Sequence, residues 1–467
     1  MEIKEKETAL FSEEEETLSG EQLAELLAER RFSEIKRRAE KMPPPDIAEL
    51  FYDLSVSQCA LLFRLLPKEL AAEVFVEMDS EVTRHLIDSF SDSELCDILE
   101  ELYIDDTVDI IEEMPASVVK RILRNSSKDD RATINRILRY PKNSAGTVMT
   151  TEYVRFVGSM TVEAALAHIR KVAIDKETIY NCYVTDKDRR LLGLVTAKDL
   201  LISELDKPLS ELMDENVISV HTADDREEVA GKLEKYGLLA MPVVDSEDRL
   251  VGIITVDDAI SVIIEESEED FAKMAAITPT EKPYLKTSVL GIFLARVPWL
   301  LILMVSSTIS SAILTGFEAA LPAVLVLFVP MIMGTGGNSG GQASVTVTRS
   351  ISLSEVRFSD LPRVFFKEMR VGIMCGVTLG VVTFIKVMLI DKLLLGISDI
   401  SLTVAAVVSV SLAATIIIAK IIGAVLPILA KKIHLDPAVM ASPLITTLVD
   451  AVSLLVYFFV ASSILSL

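Results

Sequence analysis

The sequence predicts a multidomain membrane protein with four successive parts: an all-α helical solenoid, a tandem of α/β domains, a connecting helix and a transmembrane domain of five α-helices. Half of the 467 residues are apolar and the mean hydropathy is +0.41, which is high for a soluble protein. The charge is unevenly distributed. Residues 287–467 hold 11 Lys/Arg and 8 Asp/Glu, a net charge of +3, so the first 286 residues carry −26 within the total of −23.

Composition also limits the function. A strongly acidic soluble part argues against nucleic acid as a partner and favours solvation or the binding of cations. The four cysteines have no close pairing or metal-binding spacing, so we expect free thiols in a reducing compartment. Residues 1–20 form an acidic tail without the apolar core of a signal peptide, which predicts a cytosolic soluble part. Since the sequence contains no nucleophile–base pair, histidine cluster or catalytic motif, we expect that the protein is not an enzyme.

Residues 21–140 are predicted to form the helical solenoid. Between about 45 and 125, large apolar residues recur every twelve residues, at Leu54, Leu66, Met78, Phe90, Leu102 and Met114. Most of the residues that follow them are turn or helix-capping types: Ser55, Pro67, Asp79, Ser91, Tyr103 and Pro115. Each repeat therefore predicts one short helix that must stack on its neighbours to bury its apolar face.

Residues 141–205 and 206–262 are predicted to form two similar α/β domains. YNCYVTDKDRRLLGLVTAKDL and MPVVDSEDRLVGIITVDDAI each predict a strand, a charged turn, a second strand and then Gly-x-x-Thr-x-x-Asp at the start of a helix. This plan resembles a tandem of cystathionine-β-synthase (CBS) domains, which implies adenine-nucleotide binding or a regulatory role. The positions that match the family's nucleotide contacts are Thr196, Asp199, Thr255 and Asp258. An alternative is that each threonine only caps its helix and each aspartate stabilises the first turn.

The acidic connecting helix is predicted within residues 263–293, with helical structure expected over residues 261–282. Its acids are crowded within two turns: Glu265, Glu266, Glu268, Glu269 and Asp270. Like charges at this spacing destabilise a bare helix. A solvated acidic face is one explanation, and a cation-binding surface directly before the membrane part is the other.

Residues 294–467 contain five apolar stretches, each long enough to cross about 30 Å of hydrocarbon. They are residues 294–316, 319–347, 369–390, 401–430 and 438–465. Lysine and arginine are concentrated in the second and fourth connections between these stretches. The positive-inside rule therefore predicts a cytosolic N-terminus and an extracytoplasmic C-terminus.

Polar residues inside these stretches are the candidate functional residues. The second stretch contains GTGGNSGGQ, residues 334–342, whose glycines permit either a break in the helix or close packing with its amides as interhelical hydrogen bonds. The fifth contains Asp450 near the middle of the bilayer, where an uncompensated carboxylate costs at least ~2.5 kcal/mol. Lys420 in the fourth stretch is a conceivable partner, but a single embedded acid favours a cation site.

The segments PMIMGTGGNSGGQ and LDPAVMASPLITTLVD, after a helical domain and a CBS pair, resemble the MgtE family of bacterial magnesium transporters and channels. The resemblance implies a homodimer in the cytoplasmic membrane, with a Mg²⁺ pore at the subunit interface. It assigns the pore to Gly336, Gly337, Asn338, Gln342, Asp436 and Asp450. Mg²⁺ is usually held through retained waters by one or two carboxylates, which suits Asp450.

Other divalent cations stay open as additional substrates. Softer ions would favour imidazole or thiolate ligands. Cys375 is the membrane cysteine and His434 is predicted in a cytosolic loop, so neither indicates such a site. Mn²⁺ and Co²⁺ are not separated from Mg²⁺ by this argument.

The resemblance also implies regulation: cytosolic Mg²⁺ would bridge acids of the soluble domains and the connecting helix and hold the pore shut. The positions expected for these acids are Asp105, Asp106, Asp109, Asp258, Glu266 and Glu269. Ser261 and Gly237 stand where the family has or tolerates acids, so we expect fewer sensor ions or a higher threshold. For ATP as a regulatory ligand, Asp199 matches, whereas Lys198 and Leu238 do not secure the rest of the pocket.

Two other functional classes stay open at this point. A proton- or sodium-coupled transporter of divalent cations would also need an embedded acid and broken helices. A membrane-anchored CBS sensor without transport would explain the acidic cytosolic part. It would leave Asp450 unexplained.

Overall fold

The computed structural model describes residues 18–280, 284–285, 287–318, 322–353, 355–433, 435–440 and 442–465. Most of the predicted acidic tail, and His434, lie outside these described residues. The chain divides into two compact units, Met1–Ile263 and Ile264–Leu467.

The first unit begins with a solenoid of short helices. They are α1 (Gly20–Ala28), α2 (Phe32–Ala39), α3 (Pro44–Leu50), α4 (Val56–Phe63), α5 (Lys68–Val76), α6 (Ser80–Ser89), α7 (Asp92–Leu99), α8 (Ile104–Glu113), α9 (Ala116–Asn125) and α10 (Lys128–Ile137). The residues predicted to follow each apolar repeat position are the N-cap residues of α4 through α9. The predicted twelve-residue repeat is therefore confirmed.

Capping and stacking explain this regularity. At α7, the Glu94 carboxylate accepts a hydrogen bond from the Ser91 N–H at 2.8 Å, and the Glu94 N–H donates to the Ser91 hydroxyl at 3.2 Å. Between the helices, the rings of Phe63, Phe75 and Phe90 lie with their centroids 5.1 to 6.2 Å apart. Each short helix is thus fixed at its start by a cap and on its apolar face by its neighbours.

Two small α/β domains complete the first unit. Their elements are α11 (Ala145–Val148), β1 (Tyr153–Val157), α12 (Val162–Val172), β2 (Thr178–Thr185), β3 (Leu191–Thr196), α13 (Ala197–Ile202), β4 (Val220–His221), α14 (Arg226–Tyr236), β5 (Ala240–Val244) and β6 (Leu250–Thr255). The sheets have the orders β1-β2-β3 and β4-β5-β6. In each, the first pair is parallel and the second antiparallel, so the predicted repeat of the α/β plan is confirmed.

Contacts between the two sheets join the α/β domains. The Tyr153 hydroxyl donates to the Leu250 carbonyl at 3.2 Å, and Arg189 donates to that hydroxyl at 3.0 Å. Gly237 ends α14 with φ of 62°, in the left-handed region. This backbone conformation favours glycine over the acidic residue considered at this position.

The connecting helix, α15, spans Val256–Met274. It therefore starts earlier and ends earlier than the predicted residues 261–282, and this prediction is corrected. The chain leaves the helix through Ala276, whose φ of 52° is left-handed, and the Ile277 N–H donates back to the Ala272 carbonyl at 2.9 Å. Such a left-handed residue closes the helix and turns the chain away.

The second unit contains the long apolar helices. Its elements are α16 (Val289–Glu318), α17 (Ala323–Val326), α18 (Val329–Ser352), α19 (Leu361–Lys386), which continues as a π-helix over Val387–Leu394, α20 (Leu402–Lys432) and α21 (Ser442–Leu465). Within the described residues, five helical segments are long and apolar enough to cross a membrane. The predicted number of spans is confirmed.

α20 packs against α18, α19 and α21, and α18 also packs against α21. A Cβ atom on Gly423 of α20 would lie 2.1 Å from the Gly340 carbonyl oxygen of α18. Because no side chain fits there, these two helices touch backbone to backbone. Where α19 becomes the π-helix, the Lys386 ammonium binds both carboxylate oxygens of Asp391, at 2.8 and 2.9 Å.

Candidate functional site

Asp450 lies on α21, beside a glycine of α18. A Cβ atom on Gly337 would lie 3.6 Å from the Asp450 Oδ1 atom and 2.8 Å from Cγ2 of Thr446. The Oδ1 atom is buried and has no hydrogen-bond partner among the described residues. An unpaired carboxylate within a membrane span calls for a proton, a cation or water.

The GTGGNSGGQ segment is helical throughout α18. The alternative of a broken helix is therefore wrong, and close packing is what the glycines provide. A Cβ atom on Gly336 would lie 2.6 Å from the Ser453 hydroxyl, and one on Gly340 would lie 3.0 Å from Val449. The glycine side of α18 thus lies directly against α21.

Asn338, Gln342 and Thr346 form an exposed polar stripe on α18, with one residue every four positions. The Thr346 hydroxyl donates to the Gln342 carbonyl of the same helix at 2.8 Å. In the described part of the chain, the Asn338 and Gln342 amides make no hydrogen bond to another helix, so the alternative of interhelical amide bonds is not what the structure forms. An exposed polar stripe on a spanning helix requires water or covering protein.

The polar stripe borders a cavity of about 810 Å³ between α18, α19 and α20. Glu368 of α19 and Lys420 of α20 also line this cavity. The conceivable pair between Lys420 and Asp450 is not formed, because neither residue has an ion-pair partner within the described residues. Lys420 and Asp450 therefore each lack an oppositely charged partner within the described residues.

Asp436, predicted with the pore residues, is held by an ion pair before α21 begins. The Lys273 ammonium lies 2.5 Å from an Asp436 oxygen and 2.5 Å from a Glu269 oxygen. We call Glu269, Lys273 and Asp436 the clasp. On the same stretch of α15, Asp270 accepts a hydrogen bond from the Ser352 hydroxyl at 2.9 Å.

A second group of acids lies in the first unit, at the junction of the solenoid and the α/β domains. We call it the acidic cluster: Asp105 and Asp106 at the start of α8, Glu152 before β1, Glu177 before β2, and Asp257 and Asp258 in the first turn of α15. The carboxylates of this cluster lie close enough together to raise the pKa values of Asp105, Asp106 and Glu177. Four chain segments that are separate in sequence meet here.

Burial, and then the neighbouring carboxylates, raise the pKa values of three acids in the acidic cluster, Asp105, Asp106 and Glu177. The pKa of Glu177 rises to about 7 and that of Asp106 to about 6. The pKa of Asp105 rises well above its ordinary range, and that of Asp258 also rises. The dominant cause is desolvation, which disfavours the charged form of each acid.

The acidic cluster has unsatisfied acceptors. Asp105 is 8% exposed, and its Oδ1 atom and the Glu177 Oε2 atom are buried without a hydrogen-bond partner in the described residues. Within those residues, no set of three or more side chains converges in a ready metal-binding geometry. The buried carboxylate oxygens are thus left for a proton, a cation or water.

The other predicted regulatory acids lie nearby in the chain but in different surroundings. Asp109 lines a cavity of about 150 Å³ in the solenoid together with Asp106 and Glu113. Glu266 and Glu269 lie further along α15, where Glu269 belongs to the clasp.

Comparison with known proteins decides the family. The sequence matches the family described as a divalent cation transporter, MgtE, over residues 329–460, the MgtE intracellular N domain over residues 42–143, and the CBS domain over residues 145–205 and 209–265. It is 36% identical over 445 residues to the magnesium transporter MgtE of Thermus thermophilus, covering 94% of this chain and 97% of that one. The chain belongs to the MgtE family of magnesium transporters. The MgtE of Bacillus subtilis is 31% identical and covers 94% of this chain and 95% of its own.

Two solved structures of soluble regions of Mg²⁺ transport proteins share the fold of this chain's first unit. The soluble part of a magnesium transporter is 31% identical, with a TM-score of 0.50, and covers 54% of this chain and 99% of that one. The cytosolic domain of the Mg²⁺ channel MgtE in complex with ATP is 35% identical, with a TM-score of 0.50, and covers 52% and 100%. The helical domain followed by a CBS pair is thus an MgtE arrangement.

In this MgtE chain, the threonine–aspartate pairs of the CBS domains serve as helix caps. The Thr196 hydroxyl donates to the Asp199 carboxylate at 2.5 Å, and the Asp199 N–H donates back to the hydroxyl at 3.1 Å. Thr255 donates to Asp258 at 2.5 Å in the same way. The capping alternative therefore holds at both positions.

Sequence reasoning missed three acids of this MgtE protein. Glu152 and Glu177 belong to the acidic cluster, and Glu368 lines the membrane cavity. Glu152 and Glu177 each precede a strand, where an acid looks like an ordinary surface residue. The feature that could have identified Glu152 and Glu177 is the parallel pairing of β1 with β2, because it places the starts of the two strands side by side.

The raised pKa values predict that acidification stabilises the soluble region when divalent cations are removed. Folded Glu177 and Asp106 hold protons up to pKa values of about 7 and 6, above their ordinary values of 4.5 and 3.8. The folded state therefore binds more protons than the unfolded state, and stability falls as the pH rises from about 4.5 to 7. After discounting for solvent exposure we expect a loss of about 2–4 kcal/mol.

Thermal unfolding of residues 1–280 in a chelator, at pH 5.5 and pH 8, measures this effect. The soluble part of a relative crystallises alone, so the fragment is a reasonable subject. We expect a midpoint roughly 5–10 °C higher at pH 5.5. Asp106→Asn combined with Glu177→Gln should remove most of the difference. A midpoint that falls on acidification would contradict the prediction.

Proposed function

We propose that this protein conducts Mg²⁺ across the cytoplasmic membrane as a homodimer, through a path that contains Asp450. The observation that carries the proposal is the unpaired Asp450 carboxylate beside Gly337. Relatives named as magnesium transporters cover nearly the whole chain, which supports Mg²⁺ as the ion. Mn²⁺ and Co²⁺ are further candidates because they share oxygen ligands with Mg²⁺.

The chemistry of Asp450 fits a hydrated ion. Mg²⁺ loses water reluctantly, so a path for it needs charge and hydrogen-bond acceptors more than a tight cage of direct ligands. Two Asp450 carboxylates, one from each protomer, would supply the charge. The carbonyl groups and amides along Gly336, Gly337, Asn338 and Gln342 would accept from or donate to the water shell. A second copy would also cover the exposed polar stripe.

The acidic cluster supports regulation by cytosolic Mg²⁺. Its buried carboxylates repel one another, and bound cations would remove that repulsion and favour the compact arrangement of the first unit. Asp109 of the first unit, and Glu266 and Glu269 further along α15, are additional sensor acids of this proposal. Because a ligand shifts an equilibrium only by its preference for one state, several weak sites acting together would hold the path closed at high Mg²⁺.

The orientation follows the positive-inside rule, with the N-terminus and the acidic cluster in the cytosol and the C-terminus outside. The predicted domain boundaries, from the acidic tail at residues 1–20 to the membrane part at residues 294–467, belong to the same proposal. In this orientation the sensor faces the compartment whose Mg²⁺ level it would report.

Influx of Mg²⁺ into proteoliposomes of the purified full chain tests this function. We expect influx that follows the Mg²⁺ gradient and the membrane potential and that falls as Mg²⁺ is raised on the side of the soluble domains. Influx that collapses when a proton or sodium gradient is dissipated would favour a coupled transporter instead. Absence of influx under every gradient, with a folded dimer, would leave an anchored sensor as the better account.

We also propose ATP as a regulatory ligand of the CBS pair. The support is the ATP complex of a relative's cytosolic domain and the match at Thr196, Asp199 and Thr255. Because both threonines already cap helices, a nucleotide would have to bind beside the caps rather than replace them. Protection of the soluble fragment from thermal unfolding by ATP tests this point.

A further inference from the structure

Lys420 is a charged residue that the proposed function does not use. It lies on α20, one of the helices suited to cross the membrane, and is 6% exposed. Its ammonium group has no hydrogen-bond or ion-pair partner in the described part of the chain. A buried ammonium without a partner is strongly unfavourable unless water reaches it.

The cavity beside Lys420 provides room for that water. Its volume of about 810 Å³ corresponds to roughly 27 water molecules at about 30 Å³ each. Glu368 of α19 also lines this cavity, is half-buried and has no partner within the described residues. A positive and a negative charge thus face the same water-accessible space without pairing.

The polar stripe lines the same cavity as these two charges. Asn338 and Gln342 border the cavity, and Asn338 follows Gly337, which lies against Asp450. Because the proposed function assigns Asn338 and Gln342 to the ion path, an ion that moves along the polar stripe passes through the field of Lys420. At this depth, low-dielectric walls weaken the screening of a fixed charge.

We propose that Lys420 is a rate- and valence-determining residue of the ion path, whose fixed positive charge raises the barrier to Mg²⁺ and is partly offset by Glu368. The inference rests on the proposed function. In this proposal, the ion path contains a repulsive charge at Lys420 in addition to the attractive carboxylate of Asp450. It also accounts for an unpaired lysine in a cation-conducting region.

Electrostatics fixes the size and the valence dependence of the effect. For a separation of about 10 Å between the Lys420 ammonium and the ion, and an effective dielectric constant of about 40, removing the lysine charge changes the Mg²⁺ rate by roughly tenfold. Because the repulsion is proportional to the ion's charge, the change for a monovalent ion is the square root of this factor, about threefold. A packing defect would not produce this dependence of the rate change on the charge of the ion.

Influx into proteoliposomes of the full chain, at Mg²⁺ concentrations well below saturation, tests the inference. We expect Lys420→Met to raise Mg²⁺ influx by roughly tenfold and Glu368→Gln to lower it. Lys420→Arg, which keeps the charge, should retain the low rate of the wild type. Lys392→Met makes the same chemical change at an exposed lysine of the π-helix and serves as the matched control.

The gain is diagnostic because a misfolded protein loses influx rather than gaining it. If the wild-type influx requires Asp450 but Lys420→Met gives no gain, the inference is wrong and the proposed function stands. If Asp450→Asn leaves the influx unchanged, the proposed function fails first. An equal rise for Mg²⁺ and Na⁺, or the same rise with Lys420→Arg, would overturn the electrostatic explanation.

Discussion

Replacement of Asp450 by asparagine should reduce Mg²⁺ influx at least about a hundredfold. The substitution keeps the size of the side chain and removes the charge that would hold a hydrated divalent cation in each protomer. Since Oδ1 has no hydrogen-bond partner in the described residues, the folded chain loses no internal bond. Two opposing carboxylates acting on one divalent ion make a change of about 2.7 kcal/mol, or a hundredfold, a conservative expectation.

The matched control is Asp399→Asn, which removes an exposed acid from the loop before α20. It should leave influx close to that of the wild type. Size-exclusion chromatography of both variants reports whether the protein stays assembled. Influx above a tenth of the wild-type rate in Asp450→Asn, with an intact assembly, would show that the carboxylate is not the main ion site.

Neutralising Asp106 and Asp258 together should uncouple influx from cytosolic Mg²⁺. These acids come from the solenoid and from α15, and they share the acidic cluster, in which burial raises both pKa values and the Asp258 charge further raises that of Asp106. With asparagine at both positions the repulsion falls and the cation loses two ligands. We expect the Mg²⁺ concentration that halves influx to rise at least about tenfold, since each weak site contributes to one shared equilibrium.

The same double variant should lose most of the thermal stabilisation that Mg²⁺ gives the soluble fragment at pH 8. Glu73→Gln with Glu228→Gln, two exposed acids outside the acidic cluster, is the control and should keep both responses. Retention of the wild-type Mg²⁺ response by the Asp106 and Asp258 variant would place the sensor elsewhere. The clasp would then be the next region to test.

Local patterns in the sequence predicted the solenoid well. Caps such as Ser55 and Ser91 and the recurring apolar residues act within a few positions of each other, so the helix starts could be assigned directly. The end of α15 could not, because it depends on Ala276 adopting a left-handed conformation, which an alanine rarely does. The glycines of α18 allowed two structures, and only packing against Thr446 and Ser453 decides between them.

For the membrane site, counting residues along a helix predicts that Asp450 lies near the middle of its span. It gives neither the depth of Lys420 relative to Asp450 nor the neighbour that each side chain faces. The acidic cluster was harder, because Glu152 and Glu177 approach Asp105 only through the folding of the chain. Residue types and spacing therefore identified the chemistry, and the contacts that select the acting residues required the structure.

The clasp has a mechanical consequence for α21. Asp436 is bound by Lys273, and the turn that follows it is anchored on α18, where the Ser344 hydroxyl donates to the Met440 carbonyl at 3.0 Å. The start of α21 is therefore fixed from two sides. We expect a displacement of the second half of α15 to have one of two results. Either the Lys273–Asp436 pair breaks, or the pair holds and the turn before α21 moves with α15. In the second case α21 tilts about its anchored start, and Asp450 moves sideways instead of along the helix axis.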